Sequence, residues 1–217
     1  MNRPVNPQKR RRSYNSSRRQ EQARQTRRAV LAAAKDRFVD EGYAATTIAA
    51  VAADAGVSVE TVYKAFGNKP GLVKAVFDVA IAGDDEPVPI VERDFVQRIN
   101  AEPDPRRKLH IYGEHLTRSL PPTGPILLVV RAAAATDPGA ADLWAELQAE
   151  RLTGMTMFAQ HLHECGCLRD DITATEARDV LWTHNSVELW DLLVVQRGWS
   201  NRRYGRWIAD QLSAALL

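Results

Sequence analysis

Apolar residues along this 217-residue chain recur three and four positions apart, and nowhere in a sustained alternation bounded by hairpin turns. That spacing predicts helices throughout and argues against a sheet. The sharpest instance lies between Thr46 and Leu72. Thr47 can cap a short helix in which Ile48, Val51 and Ala52 form an apolar side, while Ala49, Ala50 and Ala53 keep it slim enough for close crossing. Gly56 stands where a tight inter-helix turn needs positive φ, with Val57 as the apolar plug beneath it. Ser58 then caps a second helix, whose inner face is predicted to carry Val62, Ala65 and Phe66. Val59, Glu60, Thr61, Tyr63 and Lys64 are left for the outer face or the helix start. A helix, a glycine turn and a second helix in this order make a helix-turn-helix, and the outer residues of the second helix are those a DNA major groove would meet.

A packed helical hairpin that binds nothing has the same pattern. The stretch from Tyr63 to Leu72, Tyr-Lys-Ala-Phe-Gly-Asn-Lys-Pro-Gly-Leu, favours nucleic acid because a tyrosine and two lysines sit beside a turn that launches a third helix. Groups of this kind hold phosphates without reading base identity.

The segment from Phe38 to Phe77 resembles the N-terminal domain of the TetR family of bacterial repressors. The resemblance rests on Gly42-Tyr43, Thr46-Thr47, Ala55-Gly56-Val57-Ser58, Tyr63, Phe66 and the Lys69 turn. The chain departs from that pattern at Ala65, where a second aromatic is frequent, and at Pro70, where an acid is frequent. The resemblance implies that Thr46 or Thr47, Tyr63 and Lys69 touch backbone phosphates. It makes Val59, Glu60, Thr61 and Lys64 candidates for base readout or flanking phosphates, beside the cap Ser58. Glu60 could accept from a cytosine amino group and the Thr61 methyl could meet a thymine methyl, yet both residues also suit a helix start.

Charge changes the picture at one end only. The whole chain carries +2, but residues before Ala29 hold ten cations against one acid, leaving −7 for the remainder. Residues 1–17 are rich in Arg, Asn and Pro without apolar periodicity, so a disordered basic arm is expected there in the free protein. Lys9-Arg-Arg-Arg12 fits a groove or phosphate track, and equally a solubilising tail. The expected organisation is an arm over 1–17, a helix-turn-helix domain over 18–83 and a helical ligand-binding and dimerisation domain over 84–217. The first helix is expected from about Arg18 to Asp40, with Ala29, Leu31, Ala33, Phe38 and Val39 inward. A helix over 69–82 would join head to body, and the seam is expected at Gly83-Asp-Asp-Glu-Pro-Val-Pro89.

Beyond the seam, helices are predicted at about 89–100, 104–119, 122–135, 138–164, 173–197 and 200–216, separated by Pro103-Asp-Pro105, Pro121-Pro122, Asp137-Pro-Gly139, Gly166 and Gly198. The fold class is therefore all-α. Ala177 to Trp182, Val187 to Val195, Arg197-Gly-Trp199 and Tyr204 to Leu217 resemble a TetR-type C-terminal region. Leu181, Leu189, Leu192, Leu193, Val194, Trp207, Ile208 and Leu212 exceed what one amphipathic stripe needs, so a homodimer is expected.

A regulator of this type implies a body cavity whose small-molecule effector favours a state that no longer fits DNA. Tyr112, His115, Arg131, Trp144, Phe158, Trp182 and Glu188, with Leu116, Leu127, Leu147 and Met155, combine apolar bulk with polar handles and are the candidate lining for an apolar or amphipathic molecule. Each also suits a plain core.

His161, His163, Cys165 and Cys167 could gather a metal, act as a vicinal thiol pair, or merely end a helix. No cofactor is called for. Neither Gly-x-Ser-x-Gly, nor a phosphate-binding glycine loop, nor His-Glu-x-x-His occurs, so enzymatic chemistry has no local anchor. No apolar run has the length of a signal peptide or a membrane span, so a cytoplasmic protein is expected. The expected function is a ligand-responsive repressor of a pseudo-palindromic operator. An activator, a regulator without ligand and a helical small-molecule-binding protein are the alternatives.

Overall fold

A computed structural model describes residues 7–82 and 92–217, with side chains described at 18–19, 21–82 and 92–217. Every regular element among the described residues is helical: α1 (Pro7–Ala45), α2 (Ile48–Asp54), α3 (Val59–Phe66), α4 (Lys69–Ala82), α5 (Asp94–Ala101), α6 (Pro105–Ala133), α7 (Pro138–Glu164), α8 (Ala174–His184), α9 (Val187–Trp190), and α10 (Asn201–Leu216). A π-helical turn, Asp191–Gln196, continues α9. The chain divides into two compact units, residues 1–76 and 77–217. That division falls inside α4. The expected seam at Gly83–Pro89 lies outside the described residues, as does the start of the helix expected from 89.

In the first unit, helix reaches back to Pro7, into the segment expected as an arm; residues 1–6 and the Lys9–Arg12 side chains lie outside the described residues. The core stripe of α1 is Val30, Leu31, Ala34 and Phe38, buried in this unit together with Ile48, Val51, Val62, Leu72 and Val76. Ala29 and Val39 face outward, contrary to expectation, because the buried residues at 30, 34 and 38 follow the four-residue step and place both off the stripe. Regular helix gives way at Gly42, whose φ of 83° lets the chain turn toward α2.

The second unit is built on α6, α7, α8 and α10. Its core includes Leu109, Tyr112, Leu116, Phe158, Leu162, Leu181, Trp190, Tyr204, Ile208 and Leu212. At the crossing of α6 and α10 the backbones meet through Gly113 and Gly205, and a Cβ on either glycine would run into the other's carbonyl.

Two expected boundaries are corrected. The break at Pro121-Pro122 does not occur, for α6 continues through Pro121, Pro122 and Pro125. Each internal proline forfeits a helical hydrogen bond at a cost of about 3 kcal/mol. Burial on both sides outweighs it. Ser119, Leu120, Thr123, Gly124, Ile126 and Val130 are buried, the Trp190 ring lies directly against Gly124, and the Thr123 hydroxyl donates to the Ser119 carbonyl at 2.7 Å. Conversely, the helix expected over 173–197 is broken at Asn185-Ser186. Asn185 ends α8, and the Ser186 hydroxyl accepts from Leu189 N at 3.4 Å to start α9. The break at Gly198 is observed at φ 69°.

Candidate nucleic-acid interface and the interior of the helical body

The helix-turn-helix is assembled from local polar contacts. Thr47 caps α2 by accepting from Ala50 N at 3.1 Å. Gly56, at φ 66°, closes the end of α2: its N–H donates to Ala53 O at 3.1 Å and that of Val57 to Ala52 O at 2.9 Å. These paired bonds with glycine in the left-handed region form a Schellman turn. Ser58 caps α3 by accepting from Thr61 N at 3.2 Å, and its hydroxyl lies 2.8 Å from that of Thr61. At the far end Gly67 terminates α3 at φ 75°, and the Asn68 side chain accepts from Gly71 N at 2.8 Å to start α4. Asn68 escaped the sequence reading, although an asparagine just before Lys-Pro-Gly is a cap signal.

Arg37 ties α1 to α2. Its guanidinium pairs with Asp54, and it donates to Glu41 at 2.9 Å. The hydrogen bond from Arg37 lowers the Asp54 pKa below the ordinary carboxylate value.

On α3, Val62 is fully buried and Phe66 is half-buried, with the Arg27 guanidinium 4.8 Å from its ring centre. Ala65 is exposed, contrary to expectation: at i+3 from Val62 it lies toward the flank, and the bulkier Phe66 closes the inner face instead. Val59, Glu60, Tyr63 and Lys64 form the exposed face, with Tyr63 50% exposed. Thr61 is half-buried and its hydroxyl is engaged with Ser58. Thr46 is only 1% exposed and its hydroxyl donates to Gly42 O at 2.8 Å, so of the two threonines Thr47 is the one on the surface. Lys69 holds its ammonium 4.3 Å from the Tyr43 ring centre and donates to Ala44 O at 3.4 Å.

Within the body the candidate lining residues fall into separate groups. Tyr112 is buried, 5.2 Å from Phe158 between ring centres, and its hydroxyl donates to the Met155 thioether at 3.4 Å. His115 stacks on Phe95 at 3.7 Å, and burial, helped by Arg118, pushes its pKa down to about 4. Arg131 pairs with Glu188 at 3.1 Å, on a half-exposed surface. Trp144 is half-buried against the core. Trp182 lies 4.3 Å beneath the Arg151 guanidinium, which also donates to the Trp182 carbonyl at 2.7 Å. Sequence reading missed Arg151, Asn185 and Tyr204, since each belongs to this region only through helix packing.

The proposed gathering of His161 with the cysteines is not realised. The His161 Nε2 lies 3.0 Å from the ammonium of Lys108, a buried lysine that also donates to Ile99 O at 2.7 Å. Cys165 and Cys167 are joined as a disulfide around Gly166. His163 is exposed, and no three metal-binding groups cluster among the described residues.

A capped helix pair that presents α3 outward beside a phosphate-suited turn defines a helix-turn-helix head on an all-helical body. Residues 30–76 match the family model of the bacterial regulatory proteins, tetR family. A comparison with curated proteins gives no match. Among solved structures, the fold is similar to NalD of Pseudomonas aeruginosa, the secondary repressor of the MexAB-OprM efflux pump, at TM-score 0.68 and 18% identity over 90% of this chain and 98% of that one. It is similar to the fatty acid degradation regulator FadR of Bacillus halodurans, at TM-score 0.68 and 18% identity over 87% and 98%. FadR of Bacillus subtilis in complex with stearoyl-CoA gives TM-score 0.66 and 15% identity over 85% and 96%. Residues 30–76 thus carry the head that the tetR family model describes, followed by a helical body, and the chain shares the fold of these solved regulators. No helix among the described residues is long and apolar enough to cross a membrane.

Proposed function

We propose that this protein is a homodimeric, sequence-specific repressor that leaves a pseudo-palindromic operator when its helical body binds a small apolar or amphipathic molecule. The observation that carries the reading is the exposed face of α3, where Val59, Glu60, Tyr63 and Lys64 stand outward between two capped turns. In this reading Val59 and Glu60 meet base edges. Tyr63, Lys64, Thr47 and Lys69 hold phosphates, with Lys69 exchanging the Tyr43 ring for the DNA backbone. Support for a dimer comes from Leu192 and Val195, which stand 49% and 56% exposed on the π-helical turn. Ligand response is supported by the stearoyl-CoA complex of a protein with the same fold. The protein works without enzymatic chemistry, and the reading places it in the cytoplasm of a bacterium.

The test is selection of bound fragments from genomic DNA followed by a salt titration. One short pseudo-palindrome is expected to be enriched. Lys69→Ala should lower the slope of log K against log salt by about one, and Tyr63→Phe should weaken all sequences alike. Unchanged affinity and slope in the double variant would reject these phosphate contacts. A particle of 24.2 kDa by light scattering at micromolar concentration would reject the dimer.

A further inference from the structure

In the interior of the body two hydrogen-bond donors converge on one weak acceptor. Tyr112 is 3% exposed, yet its hydroxyl finds only the Met155 sulfur, at 3.4 Å. The Asn185 amide approaches the same sulfur from α8 at 3.7 Å. A thioether is a weak acceptor, so two donors are spent on a group that returns little. Two further donors have no partner at all: the Tyr204 hydroxyl, on a side chain fully buried in the same core, and the Trp182 indole N–H. Tyr204 is near enough to Tyr112 to act on its ionisation, and Arg151 stands one turn before Met155 on α7. The acceptors close by are taken. Glu188 is held by Arg131, and Gln148 Oε1 receives Arg151 at 2.7 Å.

A buried donor without a good acceptor costs about 1–3 kcal/mol, so two donors sharing one thioether mark a place where something else supplies the acceptor. We propose that the body binds an apolar molecule bearing a carbonyl or carboxylate oxygen, and that this oxygen takes the place of the Met155 sulfur between Tyr112 on α6, Met155 on α7 and Asn185 after α8. The unbranched methionine swings aside at low cost, because its rotatable bonds let it refill irregular space. The Tyr112 hydroxyl and the Asn185 amide then donate to oxygen, while Phe158 and Trp190 cover the apolar part. A cationic head group is disfavoured at this point, since Tyr112 and Asn185 direct donors to it, Arg151 presents a charge, and the Glu188 carboxylate is already paired with Arg131. The inference rests on the ligand-responsive reading above and names its ligand class.

The probes are decanoate, methyl decanoate and decyltrimethylammonium, titrated calorimetrically below micelle-forming concentrations into the full-length protein. Decanoate or its ester is expected to bind; decanoate alone would select the carboxylate, and equal binding of both would select the carbonyl. Tyr112→Phe and Asn185→Leu should each weaken binding about fivefold or more. Binding of decyltrimethylammonium as tight as that of the oxygen probes, no oxygen probe binding, or affinities untouched by both variants would overturn the inference. A second measurement needs no ligand. Tyr204→Phe deletes an unpartnered hydroxyl and should raise the melting midpoint of the free protein by about 2–4 °C, whereas a comparable fall would show the hydroxyl already satisfied and remove the premise. Failure here is separable from failure of the regulatory reading: oxygen probes that bind through Tyr112 without altering operator affinity would sink the ligand response and leave the site. A cationic probe that releases DNA would do the reverse.

Discussion

The head and the body solve the same problem, holding short and long helices together, with a different balance of local and distant contacts. In the head the ends of the motif helices are closed by residues next to them in sequence: Thr47 and Ser58 cap the two helices, Gly56 and Gly67 end them, and Asn68 opens α4. The body caps its helices locally too, at Asp137, Thr173, Ser186 and Ser200, but its packing also depends on what distant segments bring. Its α6 survives three internal prolines because of burial, and its α6–α10 crossing exists because Gly113 and Gly205 abolish two side chains at one point. Local closure yields a head whose cap and turn contacts are satisfied within a few residues. Tertiary closure leaves the body with orphaned donors, as at Tyr204 and Trp182. On the function proposed above, the difference teaches that a reading surface must be preorganised, while a ligand-responsive interior can hold groups whose partners arrive later.

The largest way to break the contrast is to fill the glycine crossing. A Cβ at Gly113 would enter the Gly205 carbonyl and crowd the Ala209 side chain at 3.2 Å, so Gly113→Val forces α6 and α10 apart. Backbone contact of this kind cannot relax by turning a rotamer, and a loss of about 3 kcal/mol or more is expected. All five tryptophans, Trp144, Trp182, Trp190, Trp199 and Trp207, lie in the body, so their fluorescence during urea unfolding reports that unit alone. An unchanged midpoint would show that the crossing is not close in solution.

The same contrast explains what was legible beforehand. The helix-turn-helix could be read from Thr47, Gly56, Val57, Ser58 and Val62 because caps, turns and periodicity are properties of neighbours in sequence. The choice left open between Thr46 and Thr47, and the error in placing Ala65 in the core, depend on the helix packed opposite. In the body the all-helical class and the ends at Gly166 and Gly198 were legible for the same local reason. Pro121-Pro122 misled because burial of Ile126 and Val130 is invisible from sequence, and the Asn185-Ser186 break was missed because apolar residues continue on both sides of it. The convergence of Tyr112 and Asn185 on Met155 joins residues 43 and 30 positions apart. No spacing rule reaches that far.

Acid should separate the units next. His115, stacked on Phe95, has its pKa pushed down to about 4 by burial, with Arg118 adding to the effect. The unfolded chain protonates near 6.5 while the folded body does not, so the unfolded state binds more protons between those values. The stability contributed by neutral His115 is therefore complete above about pH 6.5 and falls away as the pH drops toward 4, by about 2–3 kcal/mol in total. His161 is lowered in the same direction by burial and by Lys108 and adds to the loss. His115→Leu should flatten the dependence of the tryptophan-detected midpoint over this range. A slope that survives the substitution would transfer the acid sensitivity to His161 or to groups elsewhere.

The smallest effects decide whether the contrast lies in the caps or in the packing. Ser58 in the head and Thr173 in the body make the same contact, a hydroxyl accepting the N–H three residues on, each at 3.2 Å. Thr173 is reinforced by Glu176, whose carboxylate accepts from the Thr173 N–H at 2.8 Å, completing a capping box and lowering the Glu176 pKa. Loss of such a hydroxyl costs about 1 kcal/mol wherever the helix end is exposed. Ser58→Ala and Thr173→Ala are therefore expected to cost alike, the first detected by amide exchange in α3 and the second by tryptophan fluorescence. The two variants should still part in function, because on the proposed reading only Ser58 sits at the start of the helix that meets DNA, where fraying displaces Val59 and Glu60. Equal stability losses with a selective loss of operator affinity in Ser58→Ala would place the contrast in packing. A much larger loss in the head would mean that its short helices, with less buried surface behind them, rely on their caps far more than the body does.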